Sequence, residues 1–154
     1  MDSKNQIQPY GSWSSPISAE SLVKGVSTIS EIKTDQSDIW WSESRPEEGG
    51  RVAVVCLFEG QDPKEITPAE ANVRSKVHEY GGGAWWVRDK TLFYVNFNDQ
   101  RIRKIENGCE EQLLTPEPPE GQSWRFADGR VTPDGEWCIC VREIHHNLKG
   151  HHIE

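Results

Sequence analysis

Positive charge is in short supply in this sequence: 17 Lys and Arg stand against 25 Asp and Glu, a formal net charge of −8. A phosphate backbone is bound by clustered cations that release its counterions, so the deficit argues against nucleic acid as a partner. It argues equally against an anionic membrane surface. No apolar run approaches the length of about 20 residues that a membrane-spanning helix needs. Met1 to Tyr10 hold no apolar stretch able to serve as a signal peptide, which makes a cytoplasmic location the expectation. Cysteine is sparse too. Cys56, Cys109, Cys138 and Cys140 fit no zinc spacing, and the last two lie in an apolar strand-like run that points both thiols to one face. Free, buried thiols are expected, with no metal and no cofactor. The nucleophile elbow G-x-S-x-G is missing; Gly11-Ser12-Trp13-Ser14-Ser15 lacks the second glycine and a preceding strand. No Ser-His-Asp triad can be assigned, so no catalytic residue is expected in this chain.

What the sequence does have is a succession of short strands and turns, rich in tryptophan. Residues 1–25 stand apart: Ser18 is placed to cap a short helix over Ala19–Lys24, with Gly25 as its stop. The clearest pattern follows at Gly83 to Leu114. Four strand-like runs, Ala84–Val87, Thr91–Phe97, Arg101–Glu106 and Glu110–Leu114, are divided by Arg88-Asp89-Lys90, Asn98-Asp99-Gln100 and Asn107-Gly108. Asn-Gly is a strong hairpin signal because both central residues of that turn need positive φ. Four short strands in an antiparallel meander make one propeller blade.

An earlier stretch repeats the plan with Val26–Lys33, Asp38–Glu43, Arg51–Phe58 and Lys64–Ile66. Its third run is apolar with little alternation, as suits a strand covered on both faces. Both units end alike, in Thr67-Pro68 and Thr115-Pro116, 48 residues apart, which is a blade-like period. A third unit opens at Arg125, where Asp134-Gly135 predicts a hairpin turn between Ala127–Val131 and Trp137–Arg142. The expectation is an all-β fold, a partial β-propeller of about two and a half four-stranded antiparallel blades with a short N-terminal helical segment. Blade one would occupy residues 26–68, blade two 83–116 and an incomplete third blade 125–154. Each blade packs against its neighbours, so a partial ring leaves apolar sheet faces and strand edges open. The chain thus reads as part of something longer.

The motifs then take on a family likeness. Asn72–Ala84 (NVRSKVHEYGGGA) resembles the signature loop of the acylaminoacyl-peptidase and dipeptidyl-peptidase-like branch of the prolyl oligopeptidase family. Pro9–Ile17 (PYGSWSSPI) resembles the start of those proteins, and Asn96–Ile102, Trp124–Asp134 and Cys140–Glu143 continue the match in order. The resemblance implies a non-catalytic, substrate-gating propeller placed ahead of an α/β-hydrolase domain that carries the Ser, Asp and His of a serine peptidase acting on short peptides. That catalytic domain is absent here. Its partners would be the downstream hydrolase domain of the parent chain and the parent's short peptide substrates. A propeller-like protein-interaction module with no enzymatic parent is the alternative, and a Trp-rich carbohydrate binder a weaker one.

Individual residues carry two readings each. His78-Glu79-Tyr80, followed by Gly81-Gly82-Gly83, is either a crossover with His78 and Tyr80 hydrogen-bonded in the packing, or a substrate-channel or interface site. His145-His146 and His151-His152 invite a metal, but their polar surroundings offer no fixed second shell, so a solvated hairpin loop is expected. Trp40-Trp41 and Trp85-Trp86 could form a sugar platform. Neighbours in a strand point to opposite faces, however, which splits each pair between two blade interfaces. Glu117–Glu120 reads as a solvated turn. Glu43, Glu47, Glu48 and Glu79 are conceivable anchors for a substrate amino terminus, with nothing to choose between them.

Overall fold

The computed structural model describes residues 9–12, 15, 17–19, 21, 26–106 and 109–146. Among them run ten strands: β1 (Thr28–Asp35), β2 (Asp38–Arg45), β3 (Arg51–Leu57), β4 (Lys64–Glu65), β5 (Trp85–Arg88), β6 (Thr91–Val95), β7 (Ile102–Glu106), β8 (Gln112–Leu113), β9 (Gln122–Val131) and β10 (Cys138–His146). They form three sheets in sequence order, β1-β2-β3-β4, β5-β6-β7-β8 and β9-β10, with every pairing antiparallel. The fold is all-β: two four-stranded meanders and a two-stranded third sheet, a partial propeller.

Turn chemistry sets the sheet boundaries. Between β5 and β6 the two turn residues, Asp89 (φ 47) and Lys90 (φ 62), are both left-handed, which matches the twist of the flanking strands. Neither is glycine, and the strain is offset from the neighbouring sheet. The Asp35 carboxylate accepts hydrogen bonds from the Asp89 and Lys90 amides, at 3.1 and 2.7 Å. The Asp134-Gly135 turn is present as part of a longer loop closed by Thr132 N donating to Trp137 O at 2.8 Å. The Asn107-Gly108 turn lies outside the described residues. So does most of the predicted helix. Its capping residue is described: the Ser18 and Ser21 hydroxyls each accept the other's backbone N–H at 3.0 Å, the reciprocal arrangement of a capped helix start.

The Thr-Pro repeat has one structural job, done twice. In the first sheet Ile66 N donates to Val54 O (2.9 Å) and Val54 N donates to Thr67 Oγ1 (3.1 Å). In the second, Leu114 N donates to Ile102 O (2.8 Å) and Ile102 N donates to Thr115 Oγ1 (3.0 Å). The threonine hydroxyl replaces a backbone carbonyl just past the outer strand. The proline that follows has no N–H to offer, so the ladder stops there. This explains why β4 and β8, each two residues long, end before Ile66 and Leu114, the expected last residues of their strands.

The sheets pack face to face. Trp40, Val54 and Cys56 of the first meet Trp85, Leu92, Tyr94 and Ile105 of the second, and Ala71 and Val73 join them. A separate cluster, Trp86, Val95 and Ile102 with Phe126, joins the second sheet to the third. Trp85 and Trp86, 1% and 2% exposed, thus serve opposite faces of one sheet. Trp41 does not follow suit. It is half-buried on the outer side of the first sheet, and its indole N–H donates to Glu43 at 2.8 Å.

The expectation of uniformly buried thiols is corrected. Cys56 is buried, and burial pushes its thiol up to about 12. Cys109 and Cys138 are exposed and Cys140 is half-buried. Cys138 and Cys140 belong to β10, which has no further strand beside it among the described residues. The same openness leaves Trp137, Ile139, Val141 and Ile144 exposed there.

Candidate functional site

Because strands alternate in direction, the tight β1–β2, β5–β6 and β9–β10 hairpins share one end of the sheets. The β2–β3 and β6–β7 turns and both crossovers share the other. The β4–β5 crossover carries the conspicuous His78-Glu79-Tyr80 segment, and its course is fixed by side chains at nearly every step. Asn72 N donates to Asn96 Oδ1 (3.0 Å) and Val73 bridges to Asn96. The Ser75 hydroxyl donates to Phe126 O at 2.6 Å and accepts from Val77 N at 3.1 Å. Lys76 N donates to the buried Gln100 side chain at 2.7 Å.

Beyond Lys76 the chain turns left-handed at His78 (φ 54) and Glu79 (φ 67) and docks on the third sheet. The His78 amide donates to Glu143 Oε1 at 2.8 Å, and its ring Nδ1 lies 2.9 Å from the same oxygen. The other carboxylate oxygen meets His145 Nε2 at 3.1 Å. Arg125 donates to Lys76 O at 2.9 Å and pairs with Glu79 at 2.6 Å. His145 is thus a strand residue with a carboxylate partner, and His146 is the last residue of β10. The expected solvated loop is corrected at both positions, because the antiparallel pairing of β10 runs through His146 to Gln122. His151 and His152 lie outside the described residues.

Tyr80 behaves differently from His78 and Glu79. It is 88% exposed, its ring lies 6.0 Å from that of His78 between centroids, and no hydrogen bond holds it among the described residues. It borders a cavity of about 160 Å³ between the first two sheets, with Ser30, Ser42, Arg74 and Trp85 among its walls. Three of the four candidate amine anchors are already matched to arginine: Glu43 to Arg45, Glu48 to Arg51 and Glu79 to Arg125. Glu47 and Glu48, on the turn between β2 and β3, line a separate cavity of about 300 Å³ beside Arg45 and Glu65. Among the described residues no group of three or more His, Cys, Asp or Glu side chains is placed to hold a metal ion. What sequence reasoning missed is the pair of receivers, Arg125 and Glu143. Both sit inside stretches noted for their family likeness, and a charge in a strand position was the available signal.

Hydrogen bonds from His145 and from the His78 amide hold the Glu143 carboxyl below the usual carboxylate range. A carboxyl with a depressed folded value contributes fully above its unfolded value of about 4.3, and that contribution is lost as pH falls through the lower folded value. Protonation of the Glu143 carboxyl, followed at its own carboxyl carbon resonance, should therefore occur only below about pH 4.3. In Glu143→Gln that acid transition should vanish.

No family model matches the chain. Solved structures do. A puromycin-hydrolyzing peptidase of Mycobacterium tuberculosis superposes with a TM-score of 0.74 at 37% identity, covering 88% of this chain and 21% of that one. A puromycin hydrolase superposes at 0.71 with 30% identity, over 82% and 21%. Over 91 residues the sequence is also 31% identical to a subunit of the anaerobic dimethyl sulfoxide reductase of Escherichia coli strain K12, covering 59% of this chain and 43% of that protein. That likeness spans less of the chain than the peptidase structures do. Fold and sequence together define the class, a partial β-propeller similar to the propeller of these peptidases. The solved structures it matches are puromycin-hydrolyzing peptidases of the prolyl oligopeptidase family, aligned through their N-terminal propeller region, and the chain spans 21% of their length.

Proposed function

We propose that this chain is the non-catalytic, substrate-gating propeller portion of a serine peptidase that hydrolyses short peptides, of acylaminoacyl- or dipeptidyl-peptidase type. One observation carries the reading: 88% of the chain superposes on a peptidase at 37% identity while accounting for 21% of that peptidase. The sequence itself contains no nucleophile elbow. The related structures are of puromycin-hydrolysing enzymes, and one is a serine-to-alanine mutant complexed with PGG, which supports a serine-dependent parent with small peptide-like substrates. In this reading the crossover end, with His78, Glu79 and Tyr80, meets the hydrolase domain or the incoming peptide. Tyr80 is the exposed member, and the other two hold the loop.

The test compares the 154-residue chain with one extended through its downstream reading frame. On acyl-, dipeptidyl- and puromycin-type substrates, turnover is expected in the extended chain alone. Stoichiometric labelling of a single serine in the short chain by a fluorophosphonate would overturn the assignment. Inactivity of both would favour the interaction-module reading.

A further inference from the structure

Most cations of this acidic chain are matched to carboxylates. Lys33 lies by Glu31, Arg45 by Glu43 and Glu65, Arg51 by Glu48 and Glu65, Arg103 by Asp99 and Glu111. Arg74 and Lys76 are exceptions: among the described residues neither has a carboxylate partner. Both instead sit over the ring of Phe97, the Arg74 guanidinium 4.7 Å and the Lys76 ammonium 4.4 Å from its centroid.

Their backbone is anchored independently of the side chains. Arg74 N donates to Val95 O at 3.2 Å, and Lys76 is held through both its N–H and its carbonyl. Arg74 is exposed and Lys76 half-buried. Among the described residues no hydrogen bond or ion pair occupies the Arg74 guanidinium, so seating over the aromatic floor leaves its N–H donors available. Two charges held over one ring also lose less side-chain freedom when a ligand arrives. They lie on the same crossover as Tyr80, at the same end of the sheets. The arrangement suits an anion with planar oxygens, which is a carboxylate.

We propose that Arg74 and Lys76, seated on Phe97, bind the C-terminal carboxylate of a short peptide. The inference rests on the gating role proposed above, and it gives that gate a chemical criterion in addition to size: the far end of the peptide must be a free acid within reach. A longer chain threaded past the crossover presents no such group there.

The probes are acetyl-Ala-Ala-Ala with a free carboxylate and the same peptide as its C-terminal amide. Both are blocked at the amino end, so amine recognition plays no part. Titrated into the 154-residue chain and followed by amide and arginine side-chain NMR, the acid should give saturable shifts centred on Arg74, Lys76 and Phe97. The amide should bind about tenfold more weakly. Arg74→Gln and Lys76→Gln, both surface changes, should each weaken the acid by a similar factor and leave the amide unaltered. Equal affinity for the two peptides, no saturable shift at these residues, or variants that bind the acid normally would each overturn the proposal. Its failure is separable from failure of the gating role. Should the extended chain hydrolyse peptides while these residues ignore the carboxylate, the gate stands and the anchor falls. Carboxylate selectivity in a chain whose extended form is inert would mean the reverse.

Discussion

Replacing Trp86 by alanine should cost about 3–5 kcal/mol and detach the third sheet from the second. Trp86 is 2% exposed and stacks on Phe93 with ring centroids 5.8 Å apart and planes 3° from parallel. It is the largest member of the cluster with Val95, Ile102 and Phe126 that holds these two sheets together. No disulfide stands in reserve among the described residues. Truncation leaves a void the size of an indole between two sheets whose backbones are fixed by their own ladders, so little of it can collapse. Hydrogen exchange should report the loss where it occurs. Amides of β9 and β10 should lose most of their protection, while those of β2 and β3 keep theirs. Trp85→Ala should do the converse, loosening the first sheet against the second. Uniform loss of protection in both variants would show that the three sheets unfold as one unit, against this account.

That these two neighbouring tryptophans serve different interfaces was legible from sequence, because strand periodicity is a local rule. The same holds for the hairpins with Asp89-Lys90 and Asp134-Gly135, and for the 48-residue spacing of the Thr-Pro pairs. Strand ends were less legible. β8 keeps two residues of the strand-like run Glu110–Leu114, and its far end stops where Thr115 takes over the ladder, a side-chain substitution that no periodicity encodes. Trp41 broke the expected pattern because its side of the first sheet has no neighbour among the described residues, and a strand cannot announce which of its faces will be covered.

The site was legible as a place and not as a set of contacts. A run of His78-Glu79-Tyr80 before three glycines marks a special loop. Its partners, Arg125 and Glu143, lie 46 and 65 residues further on in the strands of another sheet. Likewise, nothing in the spacing of Arg74 and Lys76 shows that Phe97 lies beneath both. Such juxtapositions follow from how sheets stack around an axis. The β-bulge at Asp128 (φ 55) shows the dependence: its amide donates to Gly83 O at 2.9 Å, tying the end of the candidate loop to the first strand of the next sheet.

The residue after that bulge sets the second large expectation, that Gly129→Ala should destabilise the chain by about 3 kcal/mol. Its φ is not in the left-handed region, so the backbone would accept alanine and only space forbids it. A Cβ there would lie well under 3.0 Å from Cε2, Cζ2 and Cδ2 of Trp86. These atoms belong to a rigid ring already stacked on Phe93, and the indole cannot retreat without opening the cluster it fills. Gly83→Ala is the instructive contrast. There φ is 53, and the new Cβ would run into Asp128 Oδ1, an atom at the end of a side chain free to swing, but would also meet Asp128 N at 2.9 Å. Its penalty is conformational and falls on the loop, so it should move the His78 and Tyr80 resonances more than the melting temperature. For Gly129 the clash is with one side chain, and that makes the effect conditional. In a Trp86→Leu background most of the added cost of Gly129→Ala should disappear, because the obstructing ring is gone. Thermal melts of the two single variants and the double one measure this coupling directly. Additive losses would place the strain of Gly129→Ala in the backbone of the bulge and not against Trp86.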